Sequence, residues 1–238
     1  MDFTKITKEY AYKTELHAHS YPVSSCGRFS GEEVAKIYLD AACNTVTITN
    51  HLTEKHLEKY PDTAELVEFY LSDYYKACEA GKTLGINVAL GVEIRFAGTH
   101  NDYLVYGVGP EDIEKMISYV NTDIQTFYKE FKNDKNVILQ AHPFRSNMEP
   151  TPIGSVDGIE TFNTHPGHNS CIAFATRLAR EHDFLVSGGS DFHERGRHAT
   201  CVLRTKQEIR DSYDIADALK SRDIVFDMAG HIIIPYLY

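Results

Sequence analysis

The fold of this chain is indicated by the stretch Tyr12-Lys13-Thr14-Glu15-Leu16-His17-Ala18-His19. Residues two apart on a β-strand share a face, so a strand here projects the imidazoles of His17 and His19 in the same direction. About 7 Å of backbone separates them, which allows both rings to bind one metal ion. Because the 238 residues include 12 histidines, one such pair can arise by chance. The pair therefore gives a hypothesis that other motifs must support.

Four further strand-like runs lead to a histidine or a carboxylate. The run Thr45–Thr49 is β-branched almost throughout and too short for a helix, which predicts a buried strand. A carboxylate inside an apolar run such as Ile86–Phe96 is costly unless it is paired or bound to a cation. The downstream motifs are Asn50-His51, Gly91-Val92-Glu93, Ala141-His142-Pro143 and Ser190-Asp191-Phe192-His193. Five strand ends with such ligand types predict a site for divalent metal ions.

Predicted strands and helices alternate along the chain. Strands are expected at about 12–18, 45–49, 86–96, 103–106, 137–139, 158–163, 184–187 and 200–204. Helices are expected at about 31–42, from Pro61 to 85, within 111–133, at 170–182 and at 213–222, after a loosely ordered segment over 1–11. This alternation predicts an α/β fold with βαβ units, and ligands at strand ends favour a (β/α) barrel. A doubly wound open sheet is the alternative, but its Gly-x-Gly-x-x-Gly motif is missing.

Composition and charge exclude several classes of protein. The formal charge of −10 argues against a nonspecific nucleic-acid binder, so we expect no stable nucleic-acid complex. No apolar run approaches membrane-spanning length and the N-terminal residues lack a signal-peptide core, so we expect a cytoplasmic protein that binds no membrane. The five cysteines are scattered without a Cys-x-x-Cys pair, which indicates neither a disulfide framework nor a zinc knuckle. We expect residues 1–238 to form one domain.

Taken together, the motifs resemble those of the PHP (polymerase and histidinol phosphatase) family. They occur in the family's order between residues 15 and 193, which is most of the chain. The matching segments are Glu15-Leu16-His17-Ala18-His19-Ser20, Thr47-Ile48-Thr49-Asn50-His51, Gly91-Val92-Glu93-Ile94, Ala141-His142-Pro143-Phe144 and Gly188-Gly189-Ser190-Asp191-Phe192-His193. The resemblance implies a distorted (β/α)7 TIM-like barrel. It also implies two or three divalent ions, typically zinc, manganese or iron, and hydrolysis of phosphate esters.

The resemblance also assigns metal ligands. One ion would be held by His17, His19, Glu93 and Asp191, with Glu93 bridging to a second ion on His142 and a further ion on His51 and His193. The sequence departs from the family pattern at two positions. Asn50 stands where an Asp is usual, and the segment Ser20–Gly27 lacks the Asp or His that commonly follows the second histidine. Cys26 or a nearby histidine would have to complete the third site.

The ligand types indicate how such a site could act. Imidazole and carboxylate together suit zinc, iron or manganese better than magnesium, and bridged ions activate a water molecule for attack on phosphorus. A cation should bind the phosphate, and Arg145, directly after the Ala141–Phe144 motif, is best placed. We take Arg145, Asp191 and His193 as the candidate catalytic residues. Weaker candidates to contact the substrate are Arg195, Arg197, His198, His165 and His168.

Three functions remain open from the sequence. The favoured one is a phosphomonoesterase or phosphodiesterase that acts on a small phosphorylated metabolite, nucleotide or short oligonucleotide. A catalytically idle metal-binding regulatory domain is the second, although it gives no reason to keep so many buried ligands. A metal-dependent amidohydrolase is the third. Its chemistry usually uses a barrel lysine, and no lysine falls at a predicted strand end here.

Overall fold

A computed structural model describes residues 3–236 of the chain. Within these residues the strands are β1 (Tyr12–Ala18), β2 (Thr45–Ile48), β3 (His51–Leu52), β4 (Asn87–Leu90), β5 (Val92–Arg95), β6 (Asp102–Tyr106), β7 (Val137–Gln140), β8 (Gly158–Asn163), β9 (Leu185–Gly189), β10 (Cys201–Thr205), β11 (Val225–Met228) and β12 (His231–Ile233). The α-helices are α1 (Phe3–Glu9), α2 (Gly31–Asp40), α3 (Glu54–Lys59), α4 (Thr63–Leu84), α5 (Ile113–Tyr119), α6 (Ile124–Phe131), α7 (Ile172–Glu181) and α8 (Ser212–Ser221). The prediction of a mixed α/β fold is confirmed.

The described strands form two six-stranded sheets rather than one closed barrel. The first has the order β12-β11-β10-β1-β2-β4 and the second the order β3-β5-β6-β7-β8-β9. Parallel pairs join β1, β2 and β4 in one sheet, and β7, β8 and β9 in the other. Antiparallel pairs join β10 to β1 and β6 to both β5 and β7. The finer prediction of a (β/α)7 barrel of parallel strands is therefore not confirmed.

The predicted strand over Ile86–Phe96 is two strands that belong to different sheets. Strand β4 pairs with β2, whereas β5 pairs with β3 and β6. The break falls at Gly91, where a Cβ atom would lie 2.7 Å from Cγ2 of Thr49 and 3.2 Å from the ring of Tyr106. A close approach of this kind favours glycine. The sequence pattern alone did not separate the two strands because both halves are apolar.

Two helices begin and end within about two residues of the positions that their sequence predicts. Ser30 caps α2, its hydroxyl accepting from the backbone N–H of Glu33 while the Glu33 carboxylate accepts from the backbone N–H of Ser30. Asp62 caps α4 by accepting from the N–H of Glu65, and the helix ends at Gly85 with φ of 80°. These two helices pack on each other, and the backbone N–H of Gly31 donates to the Asp73 carboxylate at 2.7 Å.

The N-terminal segment was predicted to be loosely ordered, and this was wrong for the residues described. Helix α1 occupies Phe3–Glu9, while residues 1 and 2 lie outside the described part. Tyr10, directly after it, is tied down by distant residues: its hydroxyl donates to Asp223 and its carbonyl oxygen accepts from Arg204 at 3.1 Å. Because these partners of Tyr10 lie about 200 positions away, no local pattern in the sequence indicates that this segment is ordered.

The apolar side chains form a large core and a smaller cluster. The large core includes Leu16, Leu104 and Phe127, all fully buried. The smaller cluster lies around α2 and includes Tyr38 and Phe192. Among the described residues, we find no helix whose length and apolar character would allow it to cross a membrane.

Candidate metal centre

The structure brings the seven predicted metal ligands together at one place. His17 lies within the last two residues of β1, His19 directly follows this strand, and the short strand β3 supplies His51. Glu93 comes from β5, His142 follows β7, and the pair Asp191 and His193 follows β9. Within the described residues, groups whose ligand atoms lie within 4.8 Å of one another are His17–His19–Asp191, His17–Glu93–His142, His51–Glu93–Asp102 and His19–Cys26–His51–His193. Residues far apart in sequence therefore form one continuous cluster.

The carboxylate of Glu93 lies at the centre of this cluster. Its Oε1 atom lies 3.1 Å from Nε2 of His142, where the two atoms share a hydrogen bond. Its Oε2 atom lies 2.9 Å from Nδ1 of His51, 3.2 Å from Nε2 of His19 and 3.4 Å from Nε2 of His17. Despite these short distances, Oε2 has no hydrogen-bond partner among the described residues, and neither does His51 Nδ1. Buried polar atoms left unsatisfied in this way fit a cation between them.

Hydrogen bonds on the outer side of the imidazoles orient the rings. Nδ1 of His17 lies 2.9 Å from Oε1 of Glu160, and Nδ1 of His193 lies 2.8 Å from the carbonyl oxygen of Asp191. Since carboxylate and carbonyl oxygens only accept, both Nδ1 atoms carry the proton. In the neutral form of each ring, Nε2 then keeps its lone pair for a metal ion. Metal-binding histidines in proteins are typically held in this way.

The backbone is unusual at two of the predicted ligands. His142 has φ of 29° and Asp191 has φ of 51°, in a region that residues with a side chain seldom adopt. The N–H of His142 donates to Oε2 of Glu160 at 3.2 Å, which holds this conformation. Strained backbone of this kind concentrates at functional sites, where it aims a side chain.

The charges of the cluster favour binding of a cation. Burial raises the pKa of the Asp191 carboxyl, but His17, His19 and Arg145 outweigh this effect and hold the pKa well below its usual range. Burial likewise opposes ionisation of Glu93, and the imidazoles of His51 and His17 outweigh it. Burial lowers the pKa of His19 to about 3, so this ring is neutral and able to bind a metal. The carboxylates are thus ionised and His19 is neutral, whereas the neighbouring carboxylates raise the pKa of His17 and His51, so a metal ion that binds there must displace protons from these two rings.

Arg145, the predicted phosphate-binding cation, also lies in the cluster. Its Nη2 atom donates to Oδ2 of Asp191 at 2.5 Å and to Oδ1 of Asn163 at 2.5 Å. The side chain is 10% exposed, so its guanidinium is largely removed from water. Arg145 therefore holds one predicted ligand directly and still faces the cavity above the cluster.

The weaker candidates for substrate contact differ in where the structure places them. Arg197 pairs with Glu194 at 3.0 Å, and the guanidinium of Arg195 lies over the ring of Phe29. His165 and His168 line the cavity beside the cluster, and the His165 ring lies 5.1 Å from that of His193.

Sequence reasoning missed Glu160, Asn163 and Asp102 as parts of the site. Glu160 is buried in the predicted strand 158–163, as Glu93 is in its own run, so the same argument about buried carboxylates could have found it. Asp102 pairs with Arg95 at 2.6 Å and completes one of the four groups of ligand atoms.

A cavity of about 530 Å³ opens over the cluster. Three arginines line it, Arg28, Arg95 and Arg145. A second cavity of about 510 Å³ adjoins it and shares Cys26, His51 and Arg95 with it. The site is thus a cleft lined by three arginines as well as by carboxylates, and it is large enough for a small molecule.

Comparison with solved structures supports the fold. A two-domain protein from Bacteroides vulgatus ATCC 8482, containing a predicted PHP-like metal-dependent phosphoesterase, matches 91% of this chain with a TM-score of 0.61 and 19% identity. The chain spans 64% of that protein. A candidate metal-dependent phosphoesterase from Bifidobacterium adolescentis ATCC 15703 matches 78% of this chain and 89% of its own, with a TM-score of 0.50 and 17% identity.

A third similar structure belongs to a protein that is described as an amidohydrolase and not as a phosphoesterase. It is an amidohydrolase from Chromobacterium violaceum with bound sulfate and no metal, and it matches 77% of this chain and 88% of its own, with a TM-score of 0.50 and 16% identity. No protein-family model and no curated protein matches the sequence. The expected resemblance to PHP-like proteins is thus confirmed as a similarity of fold.

Proposed function

We propose that this chain is a metal-dependent hydrolase of phosphate esters that acts on a small phosphorylated substrate. The observation that carries the proposal is the Glu93 carboxylate, whose buried Oε2 lies near three imidazole nitrogens without a hydrogen bond. A cation is the simplest group that satisfies Oε2 of Glu93 and the likewise unpaired Nδ1 of His51 at once.

The residues that would hold the ions follow from the groups in the cluster. His17, His19, Glu93 and Asp191 would hold one divalent ion, Glu93 and His142 a second, and His51 and His193 a third. Mixed imidazole and carboxylate ligands favour zinc, manganese or iron. Bound ions supply a water molecule of lowered pKa and neutralise charge on a phosphoryl group.

The chain's own residues have three tasks in this proposal. Arg145 binds a phosphoryl oxygen through its guanidinium and fixes Asp191 through Nη2. Glu160 holds the proton on Nδ1 of His17, so that Nε2 keeps its lone pair. His193, with Nδ1 bound to a backbone carbonyl oxygen, has Nε2 left to bind an ion or to exchange a proton at the site.

The cavity supports a small anionic substrate. Its volume of about 530 Å³ lies in the usual range for small-molecule sites, and its three arginines suit the phosphate of a metabolite, nucleotide or short oligonucleotide. The amidohydrolase among the similar structures favours a second candidate, amide hydrolysis. Among the described residues that line this cavity there is no lysine, and the arginines favour phosphate.

The test uses protein purified without chelator and supplied with manganese. We expect release of p-nitrophenol from p-nitrophenyl phosphate or from bis(p-nitrophenyl) phosphate, and no hydrolysis of an amide panel. His17→Ala and Asp191→Asn should each lower turnover by on the order of 100-fold or more, because each removes a ligand. Circular dichroism should show that both variants remain folded, and His231→Ala, a change at an exposed histidine, should keep full turnover.

Three results would overturn the proposal. Unchanged turnover in His17→Ala would show that the cluster does not catalyse the reaction. Hydrolysis of amides alone would favour the second candidate. Stoichiometric metal binding without turnover of any ester would indicate the idle regulatory domain.

A further inference from the structure

Cys26 lies in the metal-ligand cluster, although the seven ligands assigned from the sequence did not include it. Its sulfur and one nitrogen each of His19, His51 and His193 all lie within 4.8 Å of one another. The remaining cysteines within residues 3–236 are found elsewhere: Cys43 and Cys201 are buried, and Cys78 and Cys171 are partly exposed. Three imidazole nitrogens and one sulfur, gathered at this distance, match the ligand number and chemistry of a tetrahedral metal site.

The loop that carries Cys26 is fastened to the same histidines. The backbone N–H of Arg28 donates to the carbonyl oxygen of His193 at 3.1 Å. The hydroxyl of Ser24 accepts from the backbone N–H of His51 at 2.9 Å and lies 3.2 Å from Nδ1 of His19. Contacts on both sides of Cys26 thus fix the loop to all three of its imidazole neighbours. A ligand held by such supporting contacts needs little rearrangement to bind.

The loop is also closed internally. The N–H of Gly27 donates to the carbonyl oxygen of Ser24 at 3.0 Å, and the N–H of Ser24 donates to that of Ser20 at 2.9 Å. A Cβ atom at Gly27 would lie 3.1 to 3.2 Å from the backbone of Ser20, Tyr21 and Ser24. The tight turn therefore places the sulfur of Cys26 within the cluster, although the residue as a whole is exposed.

The neighbouring groups of ligand atoms differ in chemistry from this one. The groups centred on Glu93 and Asp191 contain imidazole and carboxylate, whereas the Cys26 group contains no carboxylate. A thiolate is a soft ligand that favours zinc or cobalt over manganese or magnesium. Adjacent sites with different metal preferences would then share one cavity.

We propose that Cys26 binds a metal ion as a thiolate, together with His51 and His193, and that this site selects thiophilic ions such as Zn²⁺. His19 belongs both to this group and to the group of His17 and Asp191. Binding forms a metal–sulfur bond and releases the thiol proton to solvent. The inference rests on the proposed metal cluster, but it does not depend on the reaction that the cluster catalyses.

Cobalt provides a direct readout of sulfur ligation. The full-length, metal-depleted chain is titrated with Co²⁺, while equilibrium dialysis counts the bound ions. We expect a thiolate-to-cobalt charge-transfer band in the near ultraviolet. The band should disappear in Cys26→Ser and persist in Cys171→Ser, a matched change at another partly accessible cysteine.

Metal selectivity and thiol protection give a second, independent readout. Cys26→Ser should weaken Zn²⁺ binding at one site by on the order of tenfold or more and change Mn²⁺ binding much less. Zn²⁺ should also protect Cys26, and not Cys171, from iodoacetamide in peptide mass spectrometry.

The outcomes separate this inference from the proposed function. Cobalt bound in the wild type without a charge-transfer band, or a band retained in Cys26→Ser, would overturn thiolate ligation and leave the phosphoesterase proposal standing. Cobalt binding with the band but without phosphate release would support thiolate ligation and overturn the phosphoesterase. Circular dichroism of Cys26→Ser shows whether loss of the band reflects loss of the ligand or of the fold. If that variant is unfolded, failure of Zn²⁺ to protect Cys26 in the wild type would overturn the inference.

Discussion

The buried carboxylate of Glu160 lies 2.9 Å from Nδ1 of His17 and also accepts from the backbone N–H of His142. A third bond, from Nδ2 of Asn163 at 2.9 Å, holds the carboxylate in place. One residue outside the ligand set therefore orients two predicted ligands from different strands. This makes Glu160 the positioning residue of the cluster.

Replacement of Glu160 by glutamine tests this role. The amide cannot both accept from His17 and keep its bonds to His142 and Asn163, so the His17 ring should lose its fixed tautomer. Changes of this kind typically weaken metal binding by about 10 to 100-fold. Isothermal titration with Zn²⁺ or Mn²⁺ measures the change, and Glu181→Gln, at an exposed ion pair with Arg177, is the control. Equal metal affinities in Glu160→Gln and the wild type would show that Glu160 does not position the ligands.

Gly189 should not tolerate a side chain. A Cβ atom there would lie 2.6 Å from Cβ of His17 and 2.9 Å from Oε1 of Glu15. Gly189→Ala should therefore lower the free energy of unfolding by about 1 to 3 kcal/mol and shift His17 away from the cluster. Chemical denaturation and metal titration measure the two effects.

The control for this change is Gly230→Ala in the turn between β11 and β12. Gly230 has φ of 86° and open space around its missing Cβ, so alanine should cost about 1 kcal/mol of backbone strain. Metal affinity should not change in this variant. If Gly189→Ala also left metal affinity unchanged, the packing of Gly189 against His17 would have no bearing on the site.

Arg145 should govern affinity for phosphate. Arg145→Ala removes the guanidinium that bonds Asp191 and Asn163 and faces the cavity. We expect inorganic phosphate to inhibit this variant about tenfold less strongly, since a bidentate or charge-assisted contact contributes about 1.5 to 3 kcal/mol. Inhibition constants for phosphate in Arg145→Ala and in Arg197→Ala, whose arginine pairs with Glu194, give the comparison. If phosphate inhibited both variants equally, Arg145 would not bind phosphate, and its role would be limited to the contacts with Asp191 and Asn163.

Removal of metal should destabilise the fold. Without ions, Glu93 and Asp191 remain buried beside imidazoles that must take up protons to balance them. Added metal at about 100 times its dissociation constant should stabilise the chain by about 2.7 kcal/mol. Thermal unfolding with EDTA and then with excess Mn²⁺ measures this shift. His17→Ala should show a much smaller shift, and an equal shift in both proteins would place the bound metal outside the cluster.

The parts of the site that were predicted are those with a local signal in the sequence. His17 and His19 are two residues apart on a strand, and Glu93 stands out as a charge in an apolar run. The structure brings these and the four other predicted ligands together. The α/β class followed from the alternation of patterns, and the capped start of α2 from Ser30 and Glu33.

The parts that were not predicted depend on contacts between distant residues. The split of the strand at Gly91 comes from Thr49 and Tyr106, which lie elsewhere in the chain. The two sheets need antiparallel pairs at β6 and β10, and apolar patterns do not distinguish parallel from antiparallel neighbours. The sequence offered Cys26 or a nearby histidine for the third site, and only the folded loop places Cys26 beside three histidines, because no spacing rule links it to them.

The central claim is that Glu93 and its neighbouring imidazoles bind metal, and crystallography with anomalous scattering tests it most directly. Crystals of the full chain soaked in Mn²⁺ or Zn²⁺ should show anomalous peaks within about 2.0 to 2.3 Å of the ligand atoms of Glu93, His17 and His142. The His17→Ala crystal should lose the peak nearest residue 17. Saturating metal with no peak at Glu93, in crystals where the seven side chains remain together, would contradict the account.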